Sequence, residues 1–474
     1  MTKTYLSPVD AAFLRMESKR TPMHVGALMT FRLPAKAPPD FLRRLLDKMR
    51  EQPFMPPPFD CRLARGRLAR VAPAWEKTEV EMDYHLRHSA LPYPGGEREL
   101  GILVARLHSH PLDMSRPLWE CHLIEGLENR RFALYFKAHH CAIDGVGAMR
   151  MVQKWLSRDP NEDRPMGPWI LAAKPADGTD EETPSSLLQR MKKPARTAAE
   201  QAKALKELVS GLRKMAQGED SGARMALHTP RSLFNVRVSQ QRRLGTQILE
   251  LPRIKALAVA TGTTVNDVCL AIVGGTVRRY LIEQDALPEK SLLASVPMGL
   301  TRPDGKPGNA VAGFVVPLGT DLKSPRERLD LIHRVTTRSK NELQEMTPTA
   351  LMQFALLGLS PLILGQMTGT LAKLPPFFNF VVSNVVLSRE PLYLMGAELE
   401  AMYPVSFLFD GYALNITLVG YNDRIAVGFL GDRDAIPSLQ RMAVYSRDAL
   451  AELEKACGIS AKKTEKRKTR KAPG

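Results

Sequence analysis

The sequence predicts two α/β domains of similar size with a cleft between them. Three observations lead to this fold class. The chain of 474 residues is longer than one ordinary hydrophobic core organises. Its hydrophobic content of 44% is typical of a folded globular protein. Short strand-like runs alternate with helical periodicities in both halves, and no glycine-rich phosphate loop interrupts them.

The first half of the chain carries alternating strand and helix patterns. Residues 23–33 alternate like a strand, and 39–50 have helical spacing after a proline start. A second amphipathic helix is predicted at 98–110. Further strands are predicted at 118–127 and 131–140, with the intervening residues forming a turn.

The middle of the chain changes composition and separates the two halves. Residues 157–186 are rich in Pro, Asp, Glu and Gly, which is typical of a linker or exposed loop. Residues 187–215 are predicted to be largely helical and carry many Lys and Arg residues, as on a solvated helix face or a membrane-surface helix. We therefore predict an N-terminal domain, a basic helical linker, a C-terminal domain and a disordered basic tail, at 1–185, 186–240, 241–458 and 459–474 respectively.

The second half begins with a helix that has a clear start signal. In 261–281, Thr263 or Thr264 is the predicted N-cap, and Asp267 lies near the positive end of the helix dipole. Residues 354–369 form an apolar segment in which small residues stand among leucines, as in a core helix or a helix lining an acyl channel. Strands are predicted at 291–298, 311–318, 377–387, 411–421 and 425–430.

Charge and cysteine usage restrict the partners and the compartment. The formal net charge is +17, and the tail at 461–474 holds seven basic residues and one acid. Anionic phospholipid, a phosphate-bearing ligand and nucleic acid are all compatible with this excess. Five scattered cysteines favour a reducing compartment, and the N-terminus lacks the apolar region of a signal peptide. Because no run of 18 apolar residues occurs, we expect a cytoplasmic protein that meets the inner membrane or lipid inclusions peripherally.

The strongest chemical signal is HHCAIDG at 139–145, where a predicted strand ends and a helix begins. Alternation along 131–140 places His140 at the end of an apolar face, directed toward a core or a cleft. Partial desolvation there lowers the pKa of the imidazole and keeps it neutral as a base. Asp144 can cap the following helix or hold the turn through an arginine, and Gly145 permits close backbone approach.

Three other interpretations of this segment are weaker. The first is two structural histidines with a capping aspartate, which would not require two adjacent histidines, an aspartate and a glycine together at one strand-to-helix turn. A metal site formed by His139, His140 and Asp144 is disfavoured, because adjacent histidines point to opposite faces of one strand. Cys141 as a nucleophile lacks a neighbouring group that would activate it.

HHCAIDG matches the HHxxxDG motif of CoA-dependent acyltransferases, and the whole chain resembles the bacterial wax ester synthase/diacylglycerol acyltransferase family. The resemblance extends over 5–455 and rests on LSPVDAAFL, PMHVG, PLWE, ND, PLYLMGAELEAMYPVS and ALNITLVGYND, beginning at Leu6, Pro22, Pro117, Asn266, Pro391 and Ala413. One motif departs from the family pattern S-N-V-P-G-P. Here Ser383-Asn384-Val385 is followed by Val386-Leu387-Ser388, so the tight Pro-Gly turn is lost.

The resemblance implies two chloramphenicol-acetyltransferase-like domains, with the active site in the cleft or tunnel between them. It implies transfer of a long-chain fatty acyl group from acyl-CoA to a long-chain alcohol, a diacylglycerol or both, without a cofactor, a metal or a covalent intermediate. His140 is the implied general base and Asn266, with Asn384 behind it, the candidate oxyanion donor. His139 and Asp144 support the turn. The candidate substrate-binding residues are Pro117, Leu118, Trp119, Asn384, Leu356 and Gly358.

Two alternatives remain at this point. A condensation domain with an amine acceptor would share the motif, but such domains normally sit in very long chains beside a carrier domain. A non-catalytic nucleic-acid-binding protein would fit the sequence pI of about 9.7. It would require aromatics among the basic residues or a reading motif, and the tail holds no aromatic residue. We therefore expect the tail either to contact anionic lipid or simply to solubilise the chain.

Overall fold

The computed structural model describes residues 3–51, 55–66, 69, 72–162, 167–171, 228–299 and 311–459. The predicted basic helix at 187–215, most of the predicted linker and the basic tail lie outside these residues. The described residues form two compact units. The first holds the described residues up to 171, Gly299 and 386–407, and the second holds 228–298, 311–385 and 408–459.

The helices and strands confirm the predicted alternation. In chain order, the part of the chain before the first long gap contains β1 (Lys3–Tyr5), α1 (Pro8–Met16), β2 (His24–Arg32), α2 (Phe41–Arg50), β3 (Cys61–Leu63), β4 (Ala74–Lys77), α3 (Met82–His85), β5 (Leu86–Ala90), α4 (Glu97–Ser109), β6 (Trp119–Leu127), β7 (Arg131–His139), α5 (Gly145–Trp155) and a 3-10 turn (Pro168–Leu171).

The later part contains β8 (Arg242–Glu250), α6 (Leu251–Thr261), α7 (Val265–Glu283), β9 (Leu293–Gly299), β10 (Val311–Pro317), α8 (Pro325–Gln344), α9 (Pro348–Thr368), a 3-10 turn (Leu371–Lys373), β11 (Phe380–Ser388), β12 (Tyr393–Leu394), β13 (Ala397–Val405), β14 (Leu414–Tyr421), β15 (Arg424–Asp432) and α10 (Arg441–Ala456).

The first unit is built on a six-stranded sheet with the order β12-β13-β2-β7-β6-β5. β2 and β7 pair antiparallel, and His24 lies opposite His139. The β6–β7 hairpin turns through Asn129 and Arg130, both at positive φ, as a tight turn between twisted strands requires. The alternation in β7 predicted one apolar face, but the structure buries both faces. Even Lys137 is buried, because its Nζ donates to backbone carbonyls.

The domain boundaries differ from the prediction of a continuous C-terminal domain at 241–458. Residues 386–407 belong to the first unit, where β13 pairs antiparallel with β2 and β12 pairs with β13. This segment was not predicted as strands. Strand pairing over such a separation depends on backbone hydrogen bonds between distant residues, which local periodicity does not encode.

The second unit contains a six-stranded sheet with the order β10-β9-β11-β14-β15-β8. α7 is buried over most of its length and begins at the predicted capping position. Thr264 is the N-cap, and Asp267 completes a capping box with it. Because each side chain satisfies the other's backbone amide, the first turn of α7 is firmly fixed.

The apolar helix α9 is partly core and partly exposed. Leu362 is buried in a cluster with Leu293, Leu371, Phe378 and Tyr412, whereas the Leu364 side chain is exposed. Within the described residues, no single helix is long and apolar enough to cross a membrane. α6 and α7 meet that test as a pair, although the chain bends by 106° between them.

Candidate functional site

The predicted motif forms the turn that joins β7 to α5. The strand ends at His139, and the backbone amide of His140 still donates to the carbonyl of Met23 at 2.9 Å. The next residues fold back through a hydrogen bond from the Ala142 amide to the His139 carbonyl at 2.9 Å. The turn is therefore attached to the sheet at its first residue, which holds the His140 side chain at the end of β7.

Two aromatic rings enclose the imidazole of His140. Phe13 of α1 stacks on it with ring centroids 4.0 Å apart and an interplanar angle of 17°. Phe407 meets it edge-on at 5.5 Å. Nδ1 is buried and, in the described part of the chain, has no hydrogen-bond partner. The residue as a whole is only half-buried, which leaves Nε2 as the ring nitrogen open to a substrate.

Burial lowers the pKa of His140 to about 4, although the negative charge of Asp144 opposes this shift. The imidazole is therefore neutral at physiological pH. A neutral imidazole with one accessible nitrogen can accept a proton from a hydroxyl group. This is the state that the sequence predicted for His140.

Asp144 is the N-cap of α5, and its Oδ1 accepts the Gly147 amide at 2.5 Å. Of the two predicted roles, capping is the one found. Among the described residues, no arginine forms an ion pair with it. Gly145 is the first residue of the helix, and a Cβ built there would meet no atom within 4 Å. The space beside the first residue of α5 is therefore open.

His139 points to the other side of the sheet and has a partner that the sequence analysis missed. Its Nδ1 accepts the Cys141 amide at 3.1 Å, so in the neutral ring the proton lies on Nε2. That nitrogen lies 3.4 Å from the carboxylate of Glu17 and makes no hydrogen bond in the described part of the chain. The Met23 amide donates to the same carboxylate. Glu17 is the C-cap residue of α1. No local sequence pattern connected it with His139.

The predicted substrate-binding residues Pro117, Leu118 and Trp119 are all buried. Trp119 donates through Nε1 to the Phe59 carbonyl at 2.9 Å and stacks between His85 and Trp169. The Leu118 carbonyl accepts the His139 amide. The structure gives Trp119 a packing role, since a large aromatic ring with a satisfied N–H packs well in a core. The contact of the three residues with substrate stays a prediction.

The PMHVG segment, which contains Gly26, supports the surroundings of His140 through contacts that the sequence analysis did not predict. A Cβ on Gly26 would lie 2.9 Å from Cε2 of Tyr135, so only glycine leaves room for that ring. The Tyr135 hydroxyl is 2.7 Å from Nδ1 of His108, whose Nε2 is 2.6 Å from the carbonyl of Ser406. The carbonyl can only accept, so His108 donates to it. This chain of bonds fixes the residue that precedes Phe407.

The structure brings two predicted residues of the second half together. Asn266 lies in the first turn of α7, and its Oδ1 accepts Nδ2 of Asn384 at 3.3 Å. Its own amide N–H groups make no hydrogen bond in the described part of the chain. Asn266 is not the helix cap, because Thr264 fills that position. Where the family pattern has a Pro-Gly turn after Val385, this strand continues to Ser388.

Asp267, the neighbour of Asn266, is fully buried and accepts three hydrogen bonds. Its Oδ2 accepts Nδ1 of His333 at 2.8 Å and the Thr264 amide at 3.0 Å, and its Oδ1 accepts the Thr336 hydroxyl at 2.7 Å. Burial opposes ionisation, but these bonds outweigh it and hold the pKa of Asp267 below its ordinary value. The carboxylate is therefore charged and connects α7 to α8.

The remaining candidates lie on α9. The side chain of Leu356 is outside the described part of the structure, and Gly358 is exposed with open space around its Cα. Their contact with substrate stays a prediction. Among the described residues, no group of three or more His, Cys, Asp or Glu side chains is arranged to hold a metal ion.

Comparison with known proteins identifies the family of the chain. The family model described as "Wax ester synthase/diacylglycerol acyltransferase catalytic domain" matches residues 6–269, and "WS/DGAT C-terminal domain" matches 307–454. A Mycobacterium tuberculosis protein named "Putative diacylglycerol O-acyltransferase" is 51% identical over 95% of this chain and 99% of its own length. The O-acyltransferase WSD of Acinetobacter baylyi is 36% identical over 96% of this chain and 98% of its length.

Solved structures give the same result for the fold. The wax ester synthase/diacylglycerol acyltransferase of Marinobacter aquaeolei VT8 superposes with a TM-score of 0.77 at 37% identity, covering 96% of this chain and all of that one. The first condensation domain of the calcium-dependent antibiotic synthetase gives 0.56 at 16% identity, with 97% of each chain covered. At that identity the second similarity concerns the fold alone, and it confirms the predicted architecture of two related α/β units.

Proposed function

The chain belongs to the wax ester synthase/diacylglycerol acyltransferase family and is an acyl-CoA-dependent O-acyltransferase, and we propose that His140 is the general base with which it acylates an alcohol or a diacylglycerol. The observation that carries this proposal is the neutral, aromatic-enclosed imidazole of His140 at the end of β7. Because the chain belongs to an enzyme family, the non-catalytic alternative is set aside.

In the proposed reaction, Nε2 of His140 accepts the proton of the acceptor hydroxyl as its oxygen attacks the thioester carbonyl. The carbonyl oxygen becomes an oxyanion in the tetrahedral intermediate and needs a hydrogen-bond donor. Nδ2 of Asn266 is the proposed donor, since its Oδ1 is already engaged by Asn384. When the intermediate collapses, the C–S bond breaks and His140 returns its proton to the departing CoA thiolate. Acyl-CoA is a substrate here, and no step uses a covalent acyl-enzyme.

Thiol release from palmitoyl-CoA tests this mechanism, with hexadecanol or a diacylglycerol as acceptor. We expect His140→Ala to lower acceptor-dependent release by about 10²- to 10⁴-fold, the usual contribution of a general base. His88→Ala is the matched control, because His88 is an exposed histidine of the same unit whose Nε2 lies 3.5 Å from the carboxylate of Glu125. Activity that survives in folded His140→Ala would overturn the role of His140. The acceptor that releases more thiol identifies the preferred substrate.

We also propose that the protein acts at a lipid surface, peripherally on the inner membrane or on lipid inclusions. The basic tail at 461–474 supports this, because several Lys and Arg residues near an anionic surface each add favourable energy. The exposed Leu364 and Met367 of the uncharged helix α9 also support it. Flotation with anionic vesicles tests it at low and high salt. Salt-sensitive binding that is lost on deleting 461–474 is the expected result, and undiminished binding of the truncated protein would contradict it.

A further inference from the structure

The first turn of α7 is held from the neighbouring helix α8. In the sequence, Asn266 lies between the N-cap Thr264 and Asp267. The side chains of Thr264 and Asp267 bond each other's backbone amides, so the backbone of Asn266 is held from both sides. Asp267 in turn depends on donors from α8, namely Nδ1 of His333 and the hydroxyl of Thr336. A shift of the Asp267 carboxylate would therefore disturb the capping box that encloses Asn266.

A buried carboxylate depends strongly on its donors. Asp267 is fully enclosed and ionised, and a charge in such surroundings requires hydrogen bonds to offset its lost hydration. Removal of one donor leaves the carboxylate with an unsatisfied lone pair, which favours a shift of the carboxylate toward solvent or another donor. Because Oδ2 serves both His333 and the Thr264 amide, such a shift would loosen the start of α7.

The amide of Asn266 has a second constraint from the opposite direction. Asn384 of β11 donates to its Oδ1 at 3.3 Å, which restrains the amide plane and leaves Nδ2 without a hydrogen bond in the described part of the chain. Catalytic donors contribute most when they are fixed before charge develops, and a displacement of about 1 Å is costly. The direction of Nδ2 is thus set by one bond from Asn384 and by the backbone that Asp267 anchors.

We propose that His333 is a positioning residue for the reaction: by donating from Nδ1 to Asp267, it fixes the first turn of α7 and so holds in place the amide of Asn266, the proposed oxyanion donor. This inference rests on the proposed oxyanion role of Asn266. His333 differs from Thr336 in that its side chain is 34% exposed, so it can be replaced without opening a cavity in the core. It touches no reacting atom in this account.

Steady-state kinetics of full-length variants test the inference. His333→Leu removes the hydrogen-bond donor to Asp267. We expect kcat to fall about 10-fold, the size of loss typical when a partner that orients a metal ligand is removed. The KM for palmitoyl-CoA should be unchanged. His333→Asn places an amide N–H near the former Nδ1, so it should recover most of this loss, whereas His333→Gln places its amide near Nε2 and should not. Arg334→Leu, the next and exposed residue of α8, is the matched control and should leave kcat unchanged.

The same substitution in an Asn266→Ala background separates the two proposals. If His333 acts through Asn266, His333→Leu has no further effect on kcat once Asn266 is alanine. An equal loss in both backgrounds would overturn the role of His333, while the loss caused by Asn266→Ala would still support the oxyanion donor. An Asn266→Ala enzyme with normal kcat would instead overturn the donor itself, and the inference with it. If His333→Leu does not fold, the kcat values of His333→Asn and His333→Gln are compared instead. A His333→Gln enzyme with the same kcat as His333→Asn would contradict the inference.

Discussion

The imidazole of His140 lies face to face with the phenyl ring of Phe13, their centroids 4.0 Å apart and their planes inclined by 17°. This contact joins α1 to the turn after β7 and covers one face of the base. It both orients the ring and removes water from it, and these two effects make separate predictions.

Phe13→Leu should lower kcat by about 10-fold, because the smaller side chain no longer fixes the plane of the imidazole. Phe31→Leu is a matched control. Phe31 stacks on Phe132 at 5.1 Å near the opposite end of the β2–β7 pair, so its replacement removes an aromatic stack away from the turn. Comparable kcat values for the two variants, at similar melting temperatures, would show that the stack on His140 only stabilises the fold.

The pH dependence of kcat/KM should lack the acid limb of an ordinary histidine. Burial lowers the pKa of His140 to about 4, so the neutral base is fully populated above about pH 5. We expect kcat/KM to stay constant from pH 7.5 to 5.5, where a histidine of ordinary pKa, about 6.5, would already lose most of its activity. Phe13→Leu admits water and should move the limb upward toward 6.5. Initial rates of thiol release measure this, within the range where circular dichroism is constant. A wild-type midpoint near 6.5 would contradict it.

Glu17→Gln should lower the free energy of unfolding by about 1–2 kcal/mol, since it removes the charge that faces Nε2 of His139. Gln keeps an oxygen for the Met23 amide, so Glu17→Ala should be less stable still. Urea denaturation measures both. Glu99→Gln is the control. The carboxylate of Glu99 also accepts a backbone amide, that of Gly96, but it forms no ion pair with a histidine in the described part of the chain. If Glu17→Gln and Glu99→Gln lose equal stability, the histidine contact contributes nothing.

Gly145 and Gly26 should respond oppositely to alanine. A Cβ on Gly145 meets no atom within 4 Å, so Gly145→Ala should leave the melting temperature unchanged, and any loss of activity then reports space that the substrate needs. A Cβ on Gly26 would lie 2.9 Å from the Tyr135 ring, so Gly26→Ala should destabilise the fold by about 1–3 kcal/mol. Thermal and urea unfolding measure both, and an equally stable Gly26→Ala would show that Tyr135 moves aside freely.

Local sequence determined much of this protein. Hydrophobic periodicity predicted the main helices and strands, because each buried face repeats within a few residues. Short-range hydrogen-bonding rules gave Thr264 as one of two candidate caps, and capping as one of two candidate roles of Asp144. The motif at 139–145 predicted a neutral base at the end of a strand, and the structure places His140 there with a pKa lowered by burial. These features depend on neighbours in the chain.

Contacts between distant residues were decided only by the tertiary structure. β13 leaves the C-terminal half to pair with β2, Glu17 faces His139, and Asp267 takes a donor from α8. Trp119 packs in the core through contacts with His85 and Trp169, which its own segment did not predict. Periodicity tells which face of an element is buried but not what it is buried against, because that depends on chain segments brought together by folding. The sequence therefore determined the family and its class of chemistry, and the fold determined which residues surround His140, the proposed base.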